Sequence, residues 1–270
     1  MKKVTEDIRE LRRICQFPRR EYDTWHGVHI CRKVSIYITR VILFLGVPAD
    51  IVTVVFFLTG ILACFFFILG TDYWFLIGVL TMQAWYLMDH VDGEVARYRK
   101  ATTITGMYFD KVVHFVVSSG IFFSLGWGVY KDIEIVHIIA LGFIAAISNV
   151  LILASEDLRD SSILQRAAIR KRNISFSGSQ IIEEEQSVRK KNVIKWLFSL
   201  FHKLCTFPTV ANIITLAVAV KIMNVKYILY WLIFAYAILT TFVWIVQLVF
   251  TVKNKHVDRK WMELKGNVTE

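Results

Sequence analysis

Thiol chemistry has no foothold in this sequence. Its four cysteines (Cys15, Cys31, Cys64 and Cys205) are scattered and form no C-x-x-C pair, so neither a metal-thiolate site nor a disulfide framework can be read from them. The first forty residues are charged and hold no early apolar core followed by a small-residue cleavage site, so no signal peptide is expected. There is no internal repeat and no sign of a second domain. Positive charge is scarce at 71–72, 131–133 and 224–226, where only Lys131 and Lys226 occur. Those thin connections separate long apolar runs.

The apolar content is the counterpart of these absences. The chain has 270 residues, 56% of them hydrophobic, and a mean hydropathy of +0.50. A soluble domain of this length seldom carries so much apolar surface. The runs approach the roughly 20 residues needed to cross a bilayer. Six can be drawn, at about 50–70, 73–96, 105–130, 134–154, 207–223 and 227–252. The third is the least uniform, because Asp110, Lys111 and His114 fall in its first half. An all-α integral membrane protein with six transmembrane helices is expected.

The net charge of +10 is informative through its placement. Ten Lys/Arg fall in 1–49, three in 97–100, ten in 155–206 and five after 252. Positive charge is retained in the cytoplasm. Six spans with both termini and both basic loops inside satisfy every segment at once. Nucleic-acid binding, the other use of basic charge, needs a soluble surface with stacking aromatics. Here the 20 Phe and 8 Trp fall mostly inside the apolar runs, so no nucleic-acid partner is expected.

Three segments follow. Residues 1–24 form a charged, peripheral cytoplasmic segment interrupted by Pro18. Residues 25–252 form the membrane domain, and 253–270 a cytoplasmic tail. Within the domain, 28–45 mixes Arg32, Lys33 and Arg40 with apolar residues and reads as an interfacial amphipathic helix. Gly46-Val47-Pro48 ends it, and Asp50 can cap the first span. Residues 156–195 read as a solvated cytoplasmic loop whose basic ends could hold an anionic substrate or lipid headgroups. A short surface helix is expected over 192–205.

The most telling residues lie at the ends of the second and third runs. On one helix, Asp89, Asp92, Gly93 and Ala96 share a stripe at i, i+3, i+4 and i+7. Asp89 comes about 17 residues in, roughly 25 Å across a core of about 30 Å, near the cytoplasmic side. On the next helix Gly106, Asp110 and His114 follow at i, i+4 and i+8. His90 points about 100° away from Asp89 and is read as structural. Intramembrane ionisable groups are costly and usually functional. Hard carboxylates so spaced suit Mg²⁺ or Mn²⁺, with substrate phosphates completing the shell. Arg97 lies at the rim, where a guanidinium can meet phosphate. Small-residue helix pairing would explain Gly106 and one acid, but not three acids in one small volume.

In this spacing the chain resembles the CDP-alcohol phosphotransferase family, whose motif is D-x2-D-G-x2-A-R-x8-G-x3-D-x3-D. Seven positions match: Asp89, Asp92, Gly93, Ala96, Arg97, Gly106 and Asp110. G-V-P-A-D-I-V-T at 46–53 is similar to the family's lead-in to its first span. The resemblance implies a six-helix bundle, usually a homodimer, with a polar cavity open to the cytoplasm. It implies displacement of CMP from a CDP-linked donor by an acceptor hydroxyl. Asp89, Asp92 and Asp110 would ligate the metals, and Gly93, Ala96, Arg97 and Gly106 would receive the CDP moiety. The fourth acid, a ligand and the suspected base, is His114 here. That implies His114 and Asp110 as the catalytic pair, with His114 as base, ligand or both, or a metal-bound water as base. D-G-E-V-A-R and R-K-V-S-I-Y-I-T look closest to the branch that joins a CDP-polyol or CDP-diacylglycerol to a polyol phosphate such as an inositol phosphate. Conventional phospholipid headgroup synthases stay open. Two other classes are weighed against the enzyme: a catalytically impaired member acting as a membrane scaffold, and a transporter. Transporter sites lie near the midplane on broken helices, whereas these acids lie near one face.

Overall fold

A computed structural model describes residues 6–17, 26–169 and 193–253. The tail beyond 253, the stretch containing Pro18 and the serine- and charge-rich centre of the expected loop lie outside the described residues. Among the described residues every regular element is helical. They are α1 (Ile8–Cys15), α2 (Arg32–Phe44, entered through a π-helical turn at Gly27–Cys31), α3 (Ala49–Leu69), α4 (Asp72–Tyr98), α5 (Ile104–Ile133), α6 (His137–Ile169), α7 (Val193–Cys205), α8 (Phe207–Ile222) and α9 (Ile228–Lys253).

Four of these are long and apolar enough to cross a membrane: α3, α5, residues His137–Gln165 of α6, and α9. Phe198–Cys205 and α8 pass together as a pair bent by 67°, a fifth span if counted as one. The protein is therefore a multi-pass integral membrane protein. At 27 residues α4 is long enough but is not among the four, because Gln83, Asp89, His90, Asp92, Glu94 and Arg97 dilute its apolar length. The polar residues that make the site interesting are the ones that weaken its signature as a span.

The core joins α3, α4, α5, α6, α8 and α9 around Phe56, Phe67, Phe75, Trp85, Ile121 and Ile214. In a bilayer such helices associate through close packing rather than through exclusion of water. Glycine makes the closest approach possible. A Cβ on Gly128 of α5 would lie 1.9 Å from the carbonyl oxygen of Phe67 on α3. Gly126 and Gly142 face each other across α5 and α6, where a Cβ on either would meet the other's Cα at 3.0 Å. At the end of the bundle away from the acidic stripes, buried Lys221 on α8 pairs with Asp72 of α4, and with Asp132 of α5 at 3.1 Å. One ammonium thus ties three helices together at that end.

A second cluster, Leu11, Cys15, Ile36, Leu43, Val52, Val91 and Val95, fixes α1 and α2 onto the polar end of α4. At its centre is Glu94, 1% exposed. Its carboxylate accepts hydrogen bonds from Gln16 Nε2 (2.7 Å), Ser35 Oγ (2.6 Å) and Thr39 Oγ1 (2.6 Å). A buried carboxylate needs such donors, and here they come from the C-cap of α1 and from α2. The N-cap of α3 is Pro48, and Asp50 sits in the first turn, where a carboxylate still meets the positive end of the helix dipole.

Candidate active site

Local sequence sets the geometry of the site. Helix α4 stops through a Schellman arrangement. The Ala101 N–H donates to Ala96 O (2.9 Å) and the Lys100 N–H to Arg97 O (3.1 Å), with Lys100 at φ 52° in the left-handed position. Two residues later Thr103 caps α5, accepting from the Gly106 N–H at 2.9 Å. The eight residues between Arg97 and Gly106 are this stop, turn and restart. Helix α3 packs along both α4 and α5, whose direct contact is slight. The space left between them is a cavity of about 380 Å³.

All eight positions singled out in the sequence (Asp89, Asp92, Gly93, Ala96, Arg97, Gly106, Asp110 and His114) line that cavity. Asp50 and Thr53 of α3 and Phe207 and Pro208 of α8 close its sides. Within it, Asp89, Asp110 and His114 each offer a ligand atom, all within 4.8 Å of one another. His114 Nε2 stands 3.4 Å from Asp89 Oδ1 and 3.6 Å from Asp110 Oδ1. Two carboxylates and an imidazole, half-buried and convergent, suit a divalent cation. Asp92 is outside this trio and accepts a hydrogen bond from Thr53 Oγ1 at 2.6 Å. Thr53 is the last residue of the G-V-P-A-D-I-V-T stretch, so that stretch supplies an orienting hydroxyl to the second acid.

The remaining residues divide. Arg97 donates through Nε to the Cys15 carbonyl at 2.5 Å, which ties the end of α1 to the cavity rim. A Cβ on Gly93 would meet Arg97 Nη1 at 3.0 Å, so the room above Gly93 is taken by the guanidinium. A Cβ on Gly106 would meet only Thr103 Oγ1, at 3.2 Å, so the backbone there stays open to the cavity. His90 bonds through Nδ1 to Tyr86 O (3.0 Å) and stacks edge-on against Tyr86, a structural engagement.

Several contributors went unnoticed in the sequence. The His114 ring packs on Phe56 (5.7 Å) and Trp85 (5.6 Å), and Trp85 stacks on Phe56 at 5.5 Å. Beyond His114 lies a second cavity of about 150 Å³, lined by Ser118, Asn149, Glu156 and His202 among others. Asn149 Nδ2 donates to Ser118 Oγ (3.0 Å), Ser118 Oγ to His114 O (2.5 Å), and His202 Nε2 lies 2.9 Å from Glu156 Oε1. Glu156 is reached because α6 runs on to Ile169, well past the apolar stretch that announced it.

Residues 47–174 match the family model of CDP-alcohol phosphatidyltransferase. The match covers α3 to α6, with every residue of the Asp/Asp/His trio, and makes that part of the chain similar to the CDP-alcohol phosphatidyltransferase family. No curated protein matches the sequence. The family's chemistry is transfer of a phosphate group from a CDP-alcohol to an acceptor, typically with a divalent metal.

Proposed function

We propose that the protein is a metal-dependent transferase. It moves a substituted phosphate from a CDP-linked donor, a CDP-polyol or CDP-diacylglycerol, to an acceptor hydroxyl, and releases CMP. The observation that carries this reading is the convergence of all eight motif positions on one cavity. The divalent ion, Mg²⁺ or Mn²⁺, would be held by Asp89, Asp110 and His114, with Asp92 oriented beside them by Thr53; it supplies charge neutralisation at the pyrophosphate. Arg97 and the open backbone at Gly106 face the nucleotide and its phosphates. His114 lines both cavities; its Nε2 faces Asp89 and Asp110 and serves one role at a time, ligand to the ion or, where the two carboxylates hold the ion without it, base for the acceptor's proton. The acceptor oxygen bonds to the phosphorus that carries the non-nucleotide group. The bond from that phosphorus to the CMP oxygen breaks, and CMP leaves with the electron pair. Most of the rate would come from positioning and electrostatics.

Hydroxyl and amide groups from Ser118 and Asn149 in the second cavity support a polyhydroxylated acceptor. The preference for a polyol phosphate rests on the sequence resemblance. Membranes given labelled CDP-polyol or CDP-diacylglycerol with an inositol phosphate should release CMP and yield a phosphodiester product. No CMP from any CDP donor, whatever the divalent ion, would end the enzyme reading. A second reading has its own support: His114 lies at ion-pair distance from two acids, and an imidazolium there could balance them with no metal, as in an inactive scaffold. That reading forecasts no metal-dependent thermal stabilisation by CMP, whereas the enzyme reading forecasts a clear one.

The orientation we infer, with both termini and the cavity cytoplasmic, rests on the placement of Lys and Arg. In intact cells an impermeant thiol reagent should label a cysteine placed at Val136, between α5 and α6, and miss one placed at Asp160, near the opposite end of α6. The native background should be low. Cys15, Cys31 and Cys205 are buried, and burial above all pushes the Cys15 thiol up to about 12. The reverse labelling pattern would overturn the assignment.

A further inference from the structure

A larger cavity, about 510 Å³, lies between α1 and α2. Five cations line it: Arg9, Arg12 and Arg13 from α1, and Arg32 and Lys33 from α2. No carboxylate occurs among its described lining residues. Arg13 also pairs at the surface with Glu10 at 3.2 Å, and Glu10 is outside the lining. Like charges gathered in one concavity repel one another unless an anion joins them. Arg12 Nε has no hydrogen-bond acceptor among the described residues, a state that is costly for a charged donor.

The surroundings of this cavity favour a lipid over a soluble anion. Along the π turn and α2, Ile30, Val34, Tyr37, Val41 and Phe44 recur at intervals of four and three residues and are 48–68% exposed. This is one continuous apolar stripe on a basic helix, the pattern of a segment lying in the membrane interface. Phe17, 69% exposed, lines the same cavity. A phosphate in the cavity with its acyl chains along the stripe would use the cations and the apolar surface together. We propose that the α1–α2 cavity binds the phosphate headgroup of an anionic membrane lipid. The cavity is separate from the donor site except at Arg32, which lines both. Arg32 Nη1 donates to Gln16 O at 2.5 Å and Gln16 Nε2 to Glu94, so a headgroup here would brace the α1–α2 cap over the cavity rim.

The test uses the full-length protein in neutral detergent, with melting followed as lipid is added. Phosphatidylglycerol should raise the melting temperature saturably. Phosphatidylcholine, or inorganic phosphate at the same concentration, should not. The exposed changes Arg9→Gln and Lys33→Gln should each weaken the apparent lipid affinity about fivefold, and Arg12→Gln should weaken it more. Lys253→Gln, an exposed charge at the far end of α9, should leave it unchanged. If Arg12→Gln fails to fold, the two exposed changes carry the test alone. Equal stabilisation by inorganic phosphate would overturn the lipid assignment. Equal losses at Lys253 and at the cavity residues would overturn the site in favour of diffuse charge, and unaltered affinity in Arg9→Gln and Lys33→Gln would overturn it outright.

Discussion

Asp89→Asn should lower turnover by about a hundredfold or more while the protein still folds and inserts. Asp89 is the hub of the candidate site: it shares the convergent trio with Asp110 and His114 and lies 3.4 Å from the imidazole. Asparagine keeps the shape but removes the charge. It thereby removes a hard anionic ligand from an ion that must offset pyrophosphate charge. Folding should be spared, because the Asp89 side chain is 29% exposed and α4 is anchored elsewhere, by Glu94 on one side and Trp85 on the other. The paired measurement is CMP release under saturating donor beside the melting temperature. Loss of turnover with a melting shift of a few degrees is expected. Near-wild-type turnover would remove Asp89 from the chemistry, and with it the proposed ion site.

The residues of this site were legible because the helical repeat projects them onto two stripes, whatever the tertiary detail. The turn between the stripes was also implicit, as eight intervening residues suffice for a stop, a left-handed Lys100 and a Thr103 cap. What the pattern could not carry was contact made from far along the chain. Nothing in residues 1–24 signals that Leu11 and Cys15 bury against α4, because an eight-residue helix is too short for a strong periodic signal. Glu94 falls at an unspecified position of the motif, yet it holds α1 and α2 in place. Its partners lie 55 to 78 residues away. Thr53 hid within an apolar run, where one hydroxyl barely changes hydropathy. The spans were only partly legible for a related reason. Hydropathy sees α3, α5, α6 and α9 but is diluted by the functional face of α4, and α8 at 16 residues is too short alone.

The substitution with the most to say about mechanism is at His114, where this chain leaves the motif it otherwise matches. With His114 as the base, His114→Ala should abolish turnover with only a small change in the KM for the CDP donor, because a base acts on the acceptor. Deleting a ring packed on Phe56 and Trp85 should also cost stability, on the order of 1–3 kcal/mol. For that reason the alanine variant alone cannot separate chemistry from packing. His114→Asp separates them. It restores an acid at the same helical position and can still accept a proton, so turnover should be substantially retained. It also places a third carboxylate beside Asp89 and Asp110, where the wild type has a neutral or cationic ring. Without metal those three acids repel, so the variant should melt lower than wild type. On addition of Mg²⁺ it should recover by a larger margin, since an all-oxygen site suits that ion better than one with an imidazole. The decisive outcome is the pair of readouts together. Full turnover in His114→Ala would place the base elsewhere, and a metal response identical in wild type and His114→Asp would mean that no ion is held at this trio.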